Sequence, residues 1–100
     1  MIKRISDIFK DKTRTYSFEF FPPKTPKGLS RLYENVSLLK DLKPDFFSVT
    51  YGAGGGSKKL TMDIVDELQR RFEIPAMHHL TCIGHSETEL RTIIERMKEK

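Results

Sequence analysis

The sequence predicts an α/β protein with a parallel sheet, made of the first three β/α units of a (β/α)8 barrel. Three times along the chain, a short segment of alternating side chains precedes a segment whose apolar residues recur every third or fourth position. Prolines or glycines separate most of these segments. Strands that alternate with helices in this way are typical of a parallel sheet with right-handed crossovers.

The first unit follows a polar N-terminal stretch. Its strand is predicted from Thr15 to Phe21, because the segment is rich in aromatic residues and Pro22 cannot continue a sheet ladder. Its helix is predicted from Lys27 to Lys40. The apolar face of this helix consists of Leu29, Leu32, Tyr33, Val36 and Leu39.

The second and third units repeat the pattern. The second strand is predicted from Phe46 to Tyr51 and is followed by a glycine-rich loop, 52–57, and a helix from Lys59 to Phe72. The third strand is predicted from Ala76 to Cys82. The last helix begins at a capping box, Ser86-Glu87-Thr88-Glu89.

Each predicted strand has a small or polar face near its C-terminal end. The members are Ser17 and Glu19, Ser48 and Thr50, and His79 and Thr81. In a (β/α)8 barrel such faces line the mouth, where the active sites of this fold lie. A whole barrel takes about 250 residues, so residues 1–100 are expected to be the N-terminal part of a single barrel catalytic domain. A doubly wound open sheet is the alternative, and it would favour strands that are apolar on both sides.

Composition narrows the function classes. Lys and Arg number 18 against 14 Asp and Glu, and the two signs are interleaved, which indicates solvated helix faces and no nucleic-acid surface. The single cysteine, Cys82, excludes an internal disulfide and fits a reducing compartment. Because the chain shows neither a secretory signal nor a membrane span, a cytoplasmic protein without a membrane partner is expected.

Glu19 is the main candidate for a catalytic residue. It lies between Phe18 and Phe20, close to the end of a strand, where glutamate is disfavoured. Burial among aromatic rings would raise the pKa of this carboxyl group and suit it to donate a proton near neutral pH. The alternative is a glutamate at a strand end that points into water.

The loop 52–57 has neither the spacing of a Walker motif nor that of a dinucleotide fingerprint. Its glycines would let backbone N–H groups approach a phosphate closely, but a flexible loop is the alternative.

A cluster of potential ligands, His78, His79, Cys82 and His85, invites a zinc interpretation. His79 and Cys82 lie three positions apart on a predicted strand and therefore point to opposite faces. No metal is predicted, and a core histidine or a ligand-contacting histidine is favoured.

Three blocks of sequence carry a family resemblance. They are Ser17–Lys24 (SFEFFPPK), Ser48–Ala53 (SVTYGA) and His79–Cys82 (HLTC). In their order and separation they resemble the bacterial type of methylenetetrahydrofolate reductase, over essentially the whole chain. The resemblance implies a flavin-dependent (β/α)8 barrel of one-carbon metabolism, homo-oligomeric when full length. Such an enzyme holds FAD and reduces the folate 5,10-methylenetetrahydrofolate to 5-methyltetrahydrofolate, with NADH or NADPH as the hydride donor.

The resemblance also implies roles for individual residues. Glu19 matches the family's general acid, which protonates the bridging nitrogen of the folate and opens its five-membered ring. Thr50 matches a position that touches the nicotinamide donor. Tyr51, Ala53 and His79 match positions that contact FAD.

Two alternatives to the reductase stay open. The chain could be a barrel fragment or assembly module without catalysis of its own, because the family's Leu-Arg-Gly-Asp segment and its remaining cofactor ligands fall beyond residue 100. It could also belong to another barrel enzyme that binds a phosphate ligand and uses Glu19 differently. In this chain the stretch 54–56 is more glycine-rich than the family pattern, so the resemblance does not fix the contacts of this loop.

Overall fold

The computed structural model describes residues 2–51 and 58–99. These residues form three parallel strands in the order β1-β2-β3, with a helix before β1 and one after each strand. The strands are β1 Ser17–Phe20, β2 Phe46–Val49 and β3 Ala76–His78, and the helices are α1 Ile5–Asp11, α2 Pro26–Lys40, α3 Lys58–Arg70 and α4 Glu87–Glu99. The predicted α/β class with a parallel sheet is confirmed. Among the described residues, no helix is both long enough and apolar enough to cross a bilayer.

Helix α1 was not predicted from the sequence. It has only 7 residues, and a helix of that length is unstable in isolation. Its apolar side packs on the sheet: Ile8 is buried, and the ring of Phe9 meets the ring of Phe46 edge-on at 5.6 Å. An ion pair between Lys12 and Asp45 holds the segment that follows. Tertiary contacts therefore stabilise this helix.

The strands are shorter than predicted. β1 ends at Phe20, one residue before the proline pair, because Pro22 has no N–H to continue the ladder. β3 ends at His78 and not at Cys82, because its pairing with β2 stops where β2 stops. One further hydrogen bond, from His79 N–H to Val49 O at 3.1 Å, continues the contact past the strand end.

One face of the sheet is buried under α2 and α3. Phe47 and Val49 of β2 have no exposed surface, and they form one apolar core with side chains from both helices. The fully buried helix residues in this core are Val36, Ile64 and Leu68. The apolar helix faces predicted from the sequence are confirmed here, except that Leu39 of α2 is not among the described residues of this core. Phe18 and Phe20 of β1 pack against the same core.

Local sequence signals fix the helix starts near the carboxyl edge of the sheet. Thr25 caps α2, with its Oγ1 accepting the Gly28 N–H at 3.0 Å. A Cβ at Gly28 would lie 2.9 Å from Pro23 Cβ, so only glycine allows the proline pair to pack on the first turn of α2. At α4 the predicted cap is confirmed, because Ser86 Oγ accepts the Glu89 N–H at 3.2 Å.

Candidate active site at the carboxyl edge of the sheet

The sheet register brings polar residues of all three strands together. Glu19 lies directly opposite Ser48 in the β1–β2 pair. Val49 lies opposite His78 in the β2–β3 pair, so His79 falls just beyond the last paired residue of β3. Parallel strands end at the same edge, so these side chains meet on one face.

Three side chains form what we call the Glu19 cluster: Glu19, Ser48 and His79. Ser48 Oγ donates a hydrogen bond to Glu19 Oε1 at 3.3 Å. His79 Nε2 lies 3.5 Å from the same oxygen. The Ser48 residue is buried, whereas the side chains of Glu19 and His79 are 50% and 39% exposed. The cluster therefore has a buried hydroxyl at its base and two ionisable groups open to a ligand.

The surroundings of Glu19 differ from the sequence prediction. The neighbouring rings of Phe18 and Phe20 lie on the opposite face of the strand, against the core. They do not enclose the carboxyl group, so the predicted burial of Glu19 among aromatic rings is wrong. The alternative of a carboxylate pointing only into water is also incomplete, because Ser48 and His79 contact it.

Thr50 lies where β2 leaves the sheet, and its main chain is held from two sides. Its N–H donates to Phe20 O at 2.9 Å. Its carbonyl accepts a hydrogen bond from Thr61 Oγ1 at 2.9 Å, and Thr61 of α3 is completely buried. The peptide groups at the end of β2 are thus fixed relative to both β1 and α3.

Tyr51 points away from the Glu19 cluster. Its residue is 7% exposed, and its ring contacts the rings of His78 and His85 on the helix side of the sheet. The hydroxyl lies 2.5 Å from His85 Nε2. Burial raises the pKa of Tyr51, and the nearby Glu89 carboxylate raises it further. Any contact that Tyr51 makes with a ligand of the Glu19 face therefore involves its main chain.

The other predicted site positions divide into two groups. Ala53 and the rest of the glycine-rich loop lie outside the described residues. The four residues considered for zinc do not share one site: His79 faces Glu19, His78 and His85 contact the ring of Tyr51, and Cys82 is exposed. Within the described ranges, no group of three or more His, Cys, Asp or Glu residues is placed to hold a metal ion.

Sequence reasoning did not assign Ser48, His85 or Glu89 to the site. Ser48 was visible as part of a polar strand face, but its contact with Glu19 depends on the register between two strands. His85 and Glu89 carry a local signal, because residues four apart on a helix start can pair. Only the fold shows that this pair meets Tyr51.

Comparison with known proteins identifies the family. A sequence model described as methylenetetrahydrofolate reductase matches residues 4–100. The chain belongs to the methylenetetrahydrofolate reductase family. The resemblance predicted from the three sequence blocks is thereby confirmed.

Individual relatives support this membership and show its extent. The chain is 42% identical over 98 residues to methylenetetrahydrofolate reductase 1 of Schizosaccharomyces pombe, which covers 97% of the chain and 16% of that protein. It is 46% identical over 77 residues to 5,10-methylenetetrahydrofolate reductase of Escherichia coli, covering 77% and 26%. A rice protein named probable methylenetetrahydrofolate reductase (NADH) is 38% identical over 82 residues, covering 82% and 14%. The chain thus spans well under a third of each of these relatives.

Proposed function

We propose that this chain acts as the N-terminal part of a (β/α)8-barrel flavoenzyme that reduces 5,10-methylenetetrahydrofolate to 5-methyltetrahydrofolate. The observation that carries the proposal is the Glu19 cluster, which joins a partly exposed carboxyl group to a buried serine and a partly exposed histidine at the carboxyl edge of a parallel sheet. This is the edge at which barrel enzymes place their catalytic groups. Membership of the methylenetetrahydrofolate reductase family is the reason for proposing this particular reaction.

The barrel architecture is supported by the strand order and by the exposed apolar residues. Consecutive strands are neighbours, as successive units of a barrel are. Large apolar side chains remain uncovered on several elements, in a pattern suited to burial by further units of the same barrel. They include Leu38 of α2, Leu42 after α2, Phe21 after β1 and Ile83 after β3.

Glu19 is proposed as the general acid of the folate half-reaction. The bridging nitrogen of the folate is a poor leaving group until it is protonated, so a carboxylic acid within reach opens the five-membered ring. Ser48 donates to one carboxyl oxygen and so fixes the orientation of the group. The side chain of Glu19 is half exposed, and a substrate can approach it from the solvent. Residues on the other face of β1 pack in the core and keep the strand rigid.

The residues at this edge fit a flavin. His79 presents a partly exposed imidazole beside Glu19, and the main chain at Thr50 and Tyr51 is fixed next to it. We assign His79 and this main-chain segment to holding FAD, together with Ala53, and Thr50 to contact with the nicotinamide donor. FAD, when bound, supplies the hydride, which it obtains from NADH or NADPH. The name of the rice relative mentions NADH.

The test separates the two half-reactions in the full-length enzyme. Glu19→Gln is nearly isosteric but cannot donate a proton, so reduction of methylenetetrahydrofolate by the reduced flavoprotein should fall by about 10²–10⁴-fold. Flavin reduction by the nicotinamide cofactor needs no such proton and should be unchanged. Both rates are followed by flavin absorbance without oxygen. The matched control is Glu34→Gln on the exposed side of α2, which should affect neither.

Two results would contradict the proposal. If Glu19→Gln slows both half-reactions equally, Glu19 positions the flavin and is not the acid. If the wild-type full-length protein binds no flavin, the chain belongs to a protein with another function.

A further inference from the structure

A chain of hydrogen bonds links a buried phenol to the surface on the helix side of the carboxyl edge. The Tyr51 hydroxyl lies 2.5 Å from His85 Nε2. His85 Nδ1 lies 3.4 Å from Glu89 Oε2. The His85 side chain is 5% exposed, whereas that of Glu89 is 51% exposed. The imidazole is thus a buried connection between a buried phenol and a solvent-facing carboxylate.

The chemistry of the three groups fixes the direction of these bonds. An ionised carboxylate only accepts, so His85 Nδ1–H donates to Glu89. In the neutral imidazole the other nitrogen, Nε2, is then an acceptor, and the Tyr51 O–H donates to it. One tautomer of His85 therefore satisfies both neighbours.

Glu89 is itself held in place by the cap of α4. Its N–H donates to Ser86 Oγ at 3.2 Å, and the Ser86 hydroxyl donates to Glu89 Oε1 at 3.2 Å. The pKa of Glu89 lies below its ordinary value, chiefly because His85 hydrogen-bonds to it and also because Ser86 does. The carboxylate therefore stays ionised at neutral pH, as an acceptor from His85 must.

We propose that the chain Tyr51–His85–Glu89 is a positioning device that holds the end of β2 in the conformation that binds the flavin. The inference rests on the proposed function, in which the main chain at Thr50 and Tyr51 contacts the cofactor. That main chain is tied to Phe20 and to Thr61, and the Tyr51 side chain adds an anchor to the first turn of α4. Since the ring points away from Glu19, His85 and Glu89 act through Tyr51 and touch neither cofactor nor substrate.

The test compares two amide substitutions at His85 in the full-length enzyme. The amide of Gln reaches the position of Nε2 and can accept from Tyr51, whereas the shorter Asn reaches only the position of Nδ1. His85→Asn should weaken FAD binding about tenfold, as expected for the loss of one buried hydrogen bond. His85→Gln should restore most of the affinity. In a Tyr51→Phe background, His85→Asn should have no further effect.

A second readout needs no flavin. In apoprotein labelled with ¹³C at the tyrosine hydroxyl-bearing carbon, the Tyr51 resonance is assigned from its loss in Tyr51→Phe. It should shift in His85→Asn and return towards the wild-type position in His85→Gln. Urea unfolding of each variant separates a loss of affinity from a loss of stability.

Glu89→Ala removes the acceptor for His85 at a half-exposed side chain and serves as the test if the His85 variants fold poorly. It should weaken FAD binding, and the matched exposed variant Glu87→Ala in the same helical turn should not. Unchanged FAD affinity in His85→Asn, or in Glu89→Ala if the His85 variants do not fold, would overturn the proposal, as would an undiminished effect of His85→Asn in the Tyr51→Phe background. These results require a wild-type enzyme that binds FAD, so they are distinct from a wild-type enzyme without flavin, which contradicts the proposed function itself.

Discussion

The two faces of the sheet differ sharply in exposure although the same strands build both. On the helix side, Phe47 and Val49 have no exposed surface. On the opposite side, the side chain of Glu19, one strand away, is 50% exposed. Ser48 lies between these extremes, since it belongs to the Glu19 face but is 8% exposed.

This difference in exposure shows how one short strand can contribute both to the stability of the core and to the chemistry of the site. Successive side chains point to opposite faces, so each reactive residue has core residues as its immediate neighbours in sequence. Glu19 is flanked by Phe18 and Phe20, which pack on the core, and Ser48 is flanked by Phe47 and Val49. The packed face fixes the backbone, and the fixed backbone places the carboxyl group that the open face presents.

The largest effect should come from truncating the buried face. Phe47→Ala removes a completely buried ring that contacts the rings of Phe18 and Phe20, so unfolding free energy should fall by about 3–5 kcal/mol. The adjacent Ser48→Ala on the other face should cost about 1 kcal/mol or less, because water can replace the lost hydrogen bond to Glu19. Urea unfolding of both variants measures the contrast. Similar losses in the two would show that the faces are not distinct in energy.

A smaller effect is expected on the open face. In the full-length enzyme, His79→Ala should weaken FAD binding about tenfold with little change in stability, because a partly exposed imidazole is lost from the proposed flavin site. Flavin content after dialysis and the unfolding midpoint measure the two quantities. The control is Met77→Ala, which removes an exposed side chain earlier on the same face of β3. Retained FAD with lowered stability would make His79 a structural residue.

The smallest effect should be a pH dependence from the neighbouring His78. Burial lowers the pKa of His78 from its usual value of 6.5. Within the part of the chain that the structure describes, its Nε2 is buried without a hydrogen-bond partner. As the pH falls below about 6.5, the unfolded state gains a proton before the folded state does, so the stability that is present above this pH declines until the folded-state pKa is reached.

The measurement compares wild type with His78→Leu. Unfolding free energies at about pH 8 and about pH 5.5 should differ more in wild type than in the variant, because leucine does not titrate. The sign is decisive, since a wild type that gains stability relative to the variant on acidification would mean that His78 is charged in the folded protein.

Much of the fold was accessible from sequence because its signals are local. The apolar spacing of α2 and α3, the proline pair after β1 and the capping box of α4 each lie within a few residues, and the structure confirms them. The burial predicted for Glu19 was wrong because it relied on the neighbours in sequence, whose rings point to the other face, although strand alternation had already placed Glu19 on the polar face. Helix α1 was missed since its stability depends on Phe46 and Asp45, which lie far along the chain.

By itself, the sequence determined the alternation of strands and helices and which residues share a face of a strand. It also contained the three blocks on which the family resemblance depends. These depend on side-chain period and residue type, which the linear order contains. Only the tertiary structure shows that Ser48 and His79 contact the same oxygen of Glu19 and that the hydroxyl of Tyr51 contacts His85. Such pairs lie about 30 residues or more apart, and the register and packing that join them arise from burial of the shared core, not from any local pattern.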